Sequence, residues 1–384
     1  MDFKQNIHQL LKEIGPGWMT NTAYDTAWIA RLGELGEVMG EQALMWLREH
    51  QLEDGSWGTD QLLYYHDRVI CTLAATNALA RRGRAQDRAR LRNAELALEK
   101  MTRGLKLDPA GETVGFELIA PTLLVEAKAL GGIHRDGSEI LAQLAPQRAA
   151  KLAALPDGMV NRFVTVAHSA EMAGPDGIQL LDVANLQEAN GSVAHSPSAT
   201  AYFVRYVKRG DTKALAYLRA IATQGAVPNV VPFDVFERAW TLWNLSLTAA
   251  LDDETLALCQ PHLDFLQAAW HPEKGVGFAA GYTPKDGDDT ALVYETLLRF
   301  GRTVSLDAVQ HYEHAYYYRC FDLESNPSVS ANIHVLGALR QSGLETHHPS
   351  VQKVLTFLRE VETEHRFWFD KWHASPYCLL YTSP

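Results

Sequence analysis

Three carboxyl groups crowd into four residues at Asp286-Gly287-Asp288-Asp289, directly ahead of an apolar-periodic run from Thr290 to Phe300. Aspartate in that position commonly accepts a hydrogen bond from the first free N–H groups of a helix, so a capping turn is the structural reading of the cluster. An EF-hand loop is ruled out because the later glycine and glutamate positions are absent. The chemical reading follows from electrostatics. A free aspartic acid has a pKa of ~3.9. Crowding like charges opposes ionisation of the whole set, and full burial raises the pKa by up to ~3–5 more. A helix start returns only ~0.3–1 kcal/mol to an anion. One member of such a cluster, if buried, stays a neutral acid at neutral pH and can donate a proton.

The elements that must position this cluster are helices. Glu41 to His50, Arg88 to Met101, Ser138 to Ala154, Thr212 to Ala222, Phe236 to Leu247, Thr290 to Phe300 and Ser350 to Val361 carry apolar residues at three- and four-residue spacing. Short turn clusters such as Asp54-Gly55, Pro156-Asp157-Gly158 and Pro175-Asp176-Gly177 separate them, and alternating strand-like runs are scarce. The class expected is all-α. A weak repeat runs through the chain: Gln51-Leu-Glu-Asp-Gly-Ser-Trp57 recurs as Gln187-Glu-Ala-Asn-Gly-Ser-Val193, and Trp270 to Phe278 resembles a decayed third copy. Repeats flanked by helices suggest stacked helical hairpins, as a solenoid or a closed α/α barrel.

At 384 residues the chain exceeds what one hydrophobic core usually organises, so two domains are expected. Its formal net charge of -11 excludes a phosphate-backbone binder, which would need clustered Lys and Arg. The four cysteines form no CxxC pair, which points to neither zinc nor a disulfide framework and fits a reducing cytoplasm. The N-terminus lacks the pattern of a signal peptide. No window approaches the ~18 apolar residues of an integral membrane segment.

Taken in order, Thr22-Ala-Tyr-Asp-Thr-Ala-Trp-Ile-Ala30, Gln51 to Gly58, Val114-Gly-Phe-Glu-Leu-Ile-Ala-Pro121, Asn190-Gly-Ser with Ser196-Pro-Ser-Ala-Thr200, Phe233 to Trp240 and Asp286-Gly-Asp-Asp289 resemble the motifs of class II diterpene cyclases. The likeness is to the bacterial copalyl and halimadienyl (tuberculosinyl) diphosphate synthases. It implies two α/α barrels, β and γ, with residues 1–34 opening β, 35–195 forming γ and 196–384 returning to β, and an active cavity between them. The family pattern continues beyond Tyr377, whereas this chain ends at Pro384. The β barrel is therefore expected to be incomplete, and residues 378–384 read as artefactual.

The function implied is protonation-initiated bicyclisation of geranylgeranyl diphosphate, an isomerase-type reaction in which the diphosphate is retained. Asp288 matches the family's proton donor, with Asp286 and Asp289 holding and re-protonating it. Asp252-Asp-Glu-Thr-Leu256 does not supply the DDxxD of diphosphate-ionising cyclases. Trp240, Trp243 and Tyr202 lie in segments expected to face the cavity, where aromatic rings stabilise a carbocation, core packing being the alternative. His334 is a candidate for the final base, with a satisfied core histidine the alternative. Lys371 stands where the family has a diphosphate-binding lysine, and Lys151 is a second candidate. Asp108 and Glu112 are a thin match to the family's acidic magnesium cluster, an exposed acidic loop being the alternative, and Mg²⁺ is the cofactor implied. Asp289 departs from the threonine of halimadienyl relatives, which leaves the skeleton open among halimadienyl, copalyl and kolavenyl types. Farnesyl diphosphate, giving a drimenyl product, is the shorter substrate alternative. A non-catalytic α/α-barrel binding protein is the alternative from another class. A downstream class I terpene synthase or a phosphatase is the implied partner.

Overall fold

The computed structural model describes residues 3–17, 19–60, 63–108, 115–134, 139–248, 251–322, 324, 326–373 and 375, and of residues 139–143 and 154 the backbone alone. Helices dominate, and the described residues hold isolated β-bridges but no strand. The expected helices are present with ends shifted by a few residues, as Val38–Glu49, Arg88–Gly104, Glu139–Ala154, Thr212–Ile221, Asp234–Ser246, Gly287–Arg299 and Pro349–Glu360. No helix of the described residues is long and apolar enough to cross a membrane.

The contacts divide the chain into Met1–Gly17 with Pro232–Pro384, and Trp18–Val231. The boundaries expected from sequence lie at 34/35 and 195/196. Ala23–Ala30, whose eight residues are all buried, packs on Val38–Glu49, Tyr65–Arg82 and Pro197–Tyr202 and so groups with the contiguous unit.

In that contiguous unit Tyr65–Arg82 also packs against Arg88–Gly104 and Phe116–Ala129, which in turn packs on Glu139–Ala154. In the split unit Gly287–Arg299 lies against Asp234–Ser246 on one side and Val329–Gln341 on the other, and Val329–Gln341 against Pro349–Glu360. The first helix, Phe3–Glu13, belongs to this unit through Asp253–Ala269, where His262 Nε2 sits 2.8 Å from the Leu11 carbonyl oxygen.

The repeated turns are hydrogen-bonded clamps. Gln51 donates to the carbonyls of Gly55 and Arg90 at 2.9 and 3.0 Å, Asp54 accepts from Ser56 N, and the Trp57 indole donates to Leu47 O at 2.8 Å. Gln187 and Asn190 make the equivalent bonds to Gly191 O and Ser192 N. In the third copy Val276 N is held by Thr290 Oγ1 at 3.0 Å, as Trp57 N is by Thr72 and Val193 N by Thr200. A fourth copy is visible only in the structure. Trp368 donates to Leu358 O at 2.8 Å, ten residues back as Trp57 is from Leu47, and Glu364 and His365 occupy the left-handed region that glycine fills elsewhere.

Candidate active site

The Gly287–Arg299 helix begins on the carboxyl cluster. Asp286 is its N-cap, and its Oδ1 accepts from Asp289 N at 2.7 Å. The turn is anchored from both sides by Asp286 N to Val276 O at 2.9 Å and Gly287 N to Cys320 O at 2.8 Å. Gly287 is required by space, since a Cβ there would meet the Arg319 carbonyl oxygen at 2.4 Å. The capping role is therefore real and belongs to Asp286, which frees Asp288 for chemistry.

The three carboxyls differ in environment. Asp286 and Asp289 are buried. Burial first, then the Asp288 charge, raises Asp286 to about 7. Burial and the charges of Asp286 and Asp288 push Asp289 well above the usual carboxylate range. Asp288 is the most accessible, with its side chain 22% exposed, and its Oδ1 lies 2.5 Å from His334 Nδ1. Burial works against a charge on His334, yet the pairing with Asp288 outweighs it and raises the imidazole pKa.

His334 is expected from sequence as the final base. The structure sets its Nδ1 against Asp288 Oδ1, across 46 residues of sequence. Trp240 meets the His334 ring edge-on with centroids 5.2 Å apart, and Trp243 meets Trp240 at 5.8 Å. Of the predicted aromatics, Trp240 thus packs on the histidine that holds Asp288, and Trp243 packs on Trp240. Lys371, in the same unit, pairs with Glu324, donates to Asn326 O at 2.6 Å and lies 5.0 Å from the Trp372 ring centroid.

The remaining predictions fall in the contiguous unit. Tyr202 is fully buried, donates to Gly174 O at 2.7 Å and is among the residues lining a cavity with Trp28 and Arg31, in a different unit from Asp288. Lys151 pairs with Glu117 at 2.5 Å. Asp108 does not fit a metal ligand. It is buried, and its two oxygens accept from Tyr65 N at 2.9 Å, His66 N at 2.8 Å and His66 Nδ1 at 2.5 Å, which fixes the start of the Tyr65–Arg82 helix. Glu112 lies outside the described residues. Asp108→Ala is accordingly expected to cost about 3–5 kcal/mol of stability in a denaturant titration, because it strips a buried histidine and a helix start of their shared acceptor. Unchanged stability with a raised magnesium requirement would restore the ligand role.

A second set of buried ionisable groups has no counterpart in the sequence motifs. Tyr24 donates to Glu171 at 2.7 Å, and Asp25 accepts from Thr22 Oγ1 at 2.6 Å and from Ser198 N at 3.2 Å. Burial raises Glu171 to about 7 and Asp25 to about 6. His168, buried with Nδ1 3.2 Å from Ala194 O, is depressed by the same cause. Tyr24 and Asp25 lie in the quoted Thr22–Ala30 motif, but no spacing links them to Glu171 or His168.

No family model matches the chain. It is 44% identical over 369 residues to a type B diterpene cyclase of Mycobacterium tuberculosis, covering 94% of this chain and 74% of that protein. It is 32% identical over 381 residues to a chloroplastic ent-copalyl diphosphate synthase of Zea mays, covering 95% of this chain and 45% of that protein. The fold matches the ent-copalyl diphosphate synthase of Arabidopsis thaliana, solved in complex with (S)-15-aza-14,15-dihydrogeranylgeranyl thiolodiphosphate, with a TM-score of 0.81 at 27% identity over 96% of this chain and 53% of that one. It also matches that of Streptomyces platensis, with a TM-score of 0.77 at 26% identity over 99% and 77%. The chain thus spans about three quarters of the mycobacterial relative and under half of the maize one. With its α/α-barrel type of helical architecture and an aspartate cluster at a buried helix start, the chain belongs to the class II diterpene cyclase family.

Proposed function

We propose that the chain protonates geranylgeranyl diphosphate and closes two rings, yielding a bicyclic diterpenyl diphosphate. The observation that carries this reading is the Asp288–His334 contact beside two buried carboxyls of raised pKa. In the proposed step the free oxygen of Asp288 gives its proton to the terminal alkene. His334 Nδ1–H, already on the other oxygen, stabilises the carboxylate left behind. The π electrons of the chain close the rings, a proton leaves a carbon, and the carbon–oxygen bond to the diphosphate stays intact. Asp289, which burial keeps protonated, is the proposed store for recharging Asp288. Trp240 and Trp243 supply aromatic faces worth roughly 0.5–2 kcal/mol each to a cation.

Lys371 is the proposed diphosphate contact in this unit, and reaching it means exchanging Glu324 for the substrate. Mg²⁺ is proposed as the diphosphate's counter-ion on the substrate's chemistry alone, and no step is routed through it. A cytoplasmic setting suits the buried thiols of Cys71, Cys259 and Cys320. A product that keeps its diphosphate calls for a consuming enzyme that ionises or hydrolyses it, a class I synthase or a phosphatase.

Incubation with geranylgeranyl diphosphate and Mg²⁺, followed by phosphatase and mass spectrometry, is expected to give a bicyclic alcohol isomeric with geranylgeraniol. A drimane product from farnesyl diphosphate alone would move the substrate assignment. Release of inorganic pyrophosphate during turnover would sink the mechanism.

A further inference from the structure

The contiguous unit contains a cavity of about 510 Å³ between Phe116–Ala129, Glu139–Ala154 and the Ala173–Leu180 segment, within the range of small-molecule sites, which is about 300–1,000 Å³. No residue of the proposed acid chemistry lines it. Its inner wall is Arg31, 1% exposed, whose guanidinium lies 3.8 Å from the Trp28 ring centroid. Arg31 Nη1 donates to Glu126 at 3.0 Å, while among the described residues its Nε and Nη2 have no partner. Across the same cavity Arg148 spends Nη2 on the carbonyl of Met172 at 3.1 Å, and its Nε is also buried without a partner.

Two guanidinium groups among the lining of one cavity keep buried N–H donors without a partner, a chemistry suited to a planar anion. Glu126 cannot serve them fully, since it also accepts from Arg81 Nε at 2.7 Å. The lining charges fix the valence of the ligand. Arg31, Arg81 and Arg148 against Glu126 and Asp176 leave one positive charge. A diphosphate would overcharge the site, whereas a single carboxylate neutralises it. The rest of the wall is largely apolar, with Trp28, Val125, Leu152 and Leu180 offering a surface for a hydrocarbon body.

We propose that this cavity binds a monoanionic carboxylate with an apolar body, its head on Arg31 and Arg148 and its chain running toward Val125 and Ala129. The site is separate from the cyclisation chemistry and does not depend on it.

Isothermal titration of the full chain with dodecanoate, below its micelle concentration, is expected to give saturable one-to-one binding. Dodecanol, which has the same body and no charge, should bind at least ten-fold more weakly. Arg148→Met, at a half-buried position, should weaken dodecanoate at least ten-fold with the thermal transition preserved. Ala129→Trp, an exposed residue in the cavity lining, should do the same by obstruction and stands in should Arg148→Met fail to fold. The proposal is overturned if dodecanoate does not saturate, if dodecanol binds equally well, or if either folded variant binds like the parent.

Discussion

Asp288→Asn is expected to lower cyclisation by at least about 10³-fold while leaving the fold intact. The amide keeps the shape of the acid and can still accept from His334 Nδ1, so the contact at 2.5 Å survives and only the transferable proton is lost. The helix start does not depend on this residue, because Asp286 holds Asp289 N. His334→Phe should give a smaller loss, because it removes the donor that holds the carboxylate left on Asp288 without removing the proton itself. The measurement is product formation at saturating substrate, with circular dichroism as the check on folding. Full turnover in Asp288→Asn would move the proton donor elsewhere, with Asp289 next in line.

Stability is expected to fall by several kcal/mol as the pH rises from about 5 to 7. Asp25, Glu171 and Asp286 have folded pKa values of about 6, 7 and 7, against ordinary values near 4, and Asp289 is also pushed well above its ordinary value. A group whose pKa is raised by folding contributes stability that is complete below its unfolded pKa and lost as the pH rises through its folded one. A tenfold change in an acid's ionisation constant is worth ~1.4 kcal/mol. His334, raised by its partner, acts in the same direction. His168, depressed by burial, acts in the opposite direction, and its contribution is lost as the pH falls below the ordinary imidazole value, which offsets one of the four carboxyl contributions without reversing the fall. Urea midpoints across pH 5–8 check this, with Asp25→Asn and Glu171→Gln expected to flatten the profile. A midpoint that climbs toward pH 8 would show these carboxyls to be solvated.

What is legible in the sequence is what is local. The helices, the Gln-x-x-Asp/Asn-Gly-Ser clamps and the aspartate cluster at a helix start are each written within about ten residues of chain, and each is present in the fold. What the sequence hides depends on pairing across the fold. His334 meets Asp288 from 46 residues away, Asp108 meets His66 from 42, and Tyr24 meets Glu171 from 147. No periodicity reports such distances, so in the sequence His334 is a lone histidine and Asp108 part of an acidic loop. The Trp368 clamp is hidden for a different reason. Its Glu364 and His365 take the positive φ that a glycine would have advertised, so the geometry is kept and the motif is not.

The nested connectivity has a consequence for how the molecule is made. The partner of the first helix lies in Asp253–Ala269, and Leu11 waits 251 residues for His262. At ~5–20 residues per second of synthesis, that helix leaves the ribosome roughly 10–50 seconds before its partner exists. Residues 18–231 are contiguous and can fold meanwhile, and doing so shortens the effective loop that the first helix must close. Until then the apolar side of Phe3–Glu13, including Leu11, has nothing to cover it. The interval in which the nascent chain is most open to aggregation or chaperone capture therefore begins with its first dozen residues and ends only when the segment around His262 emerges.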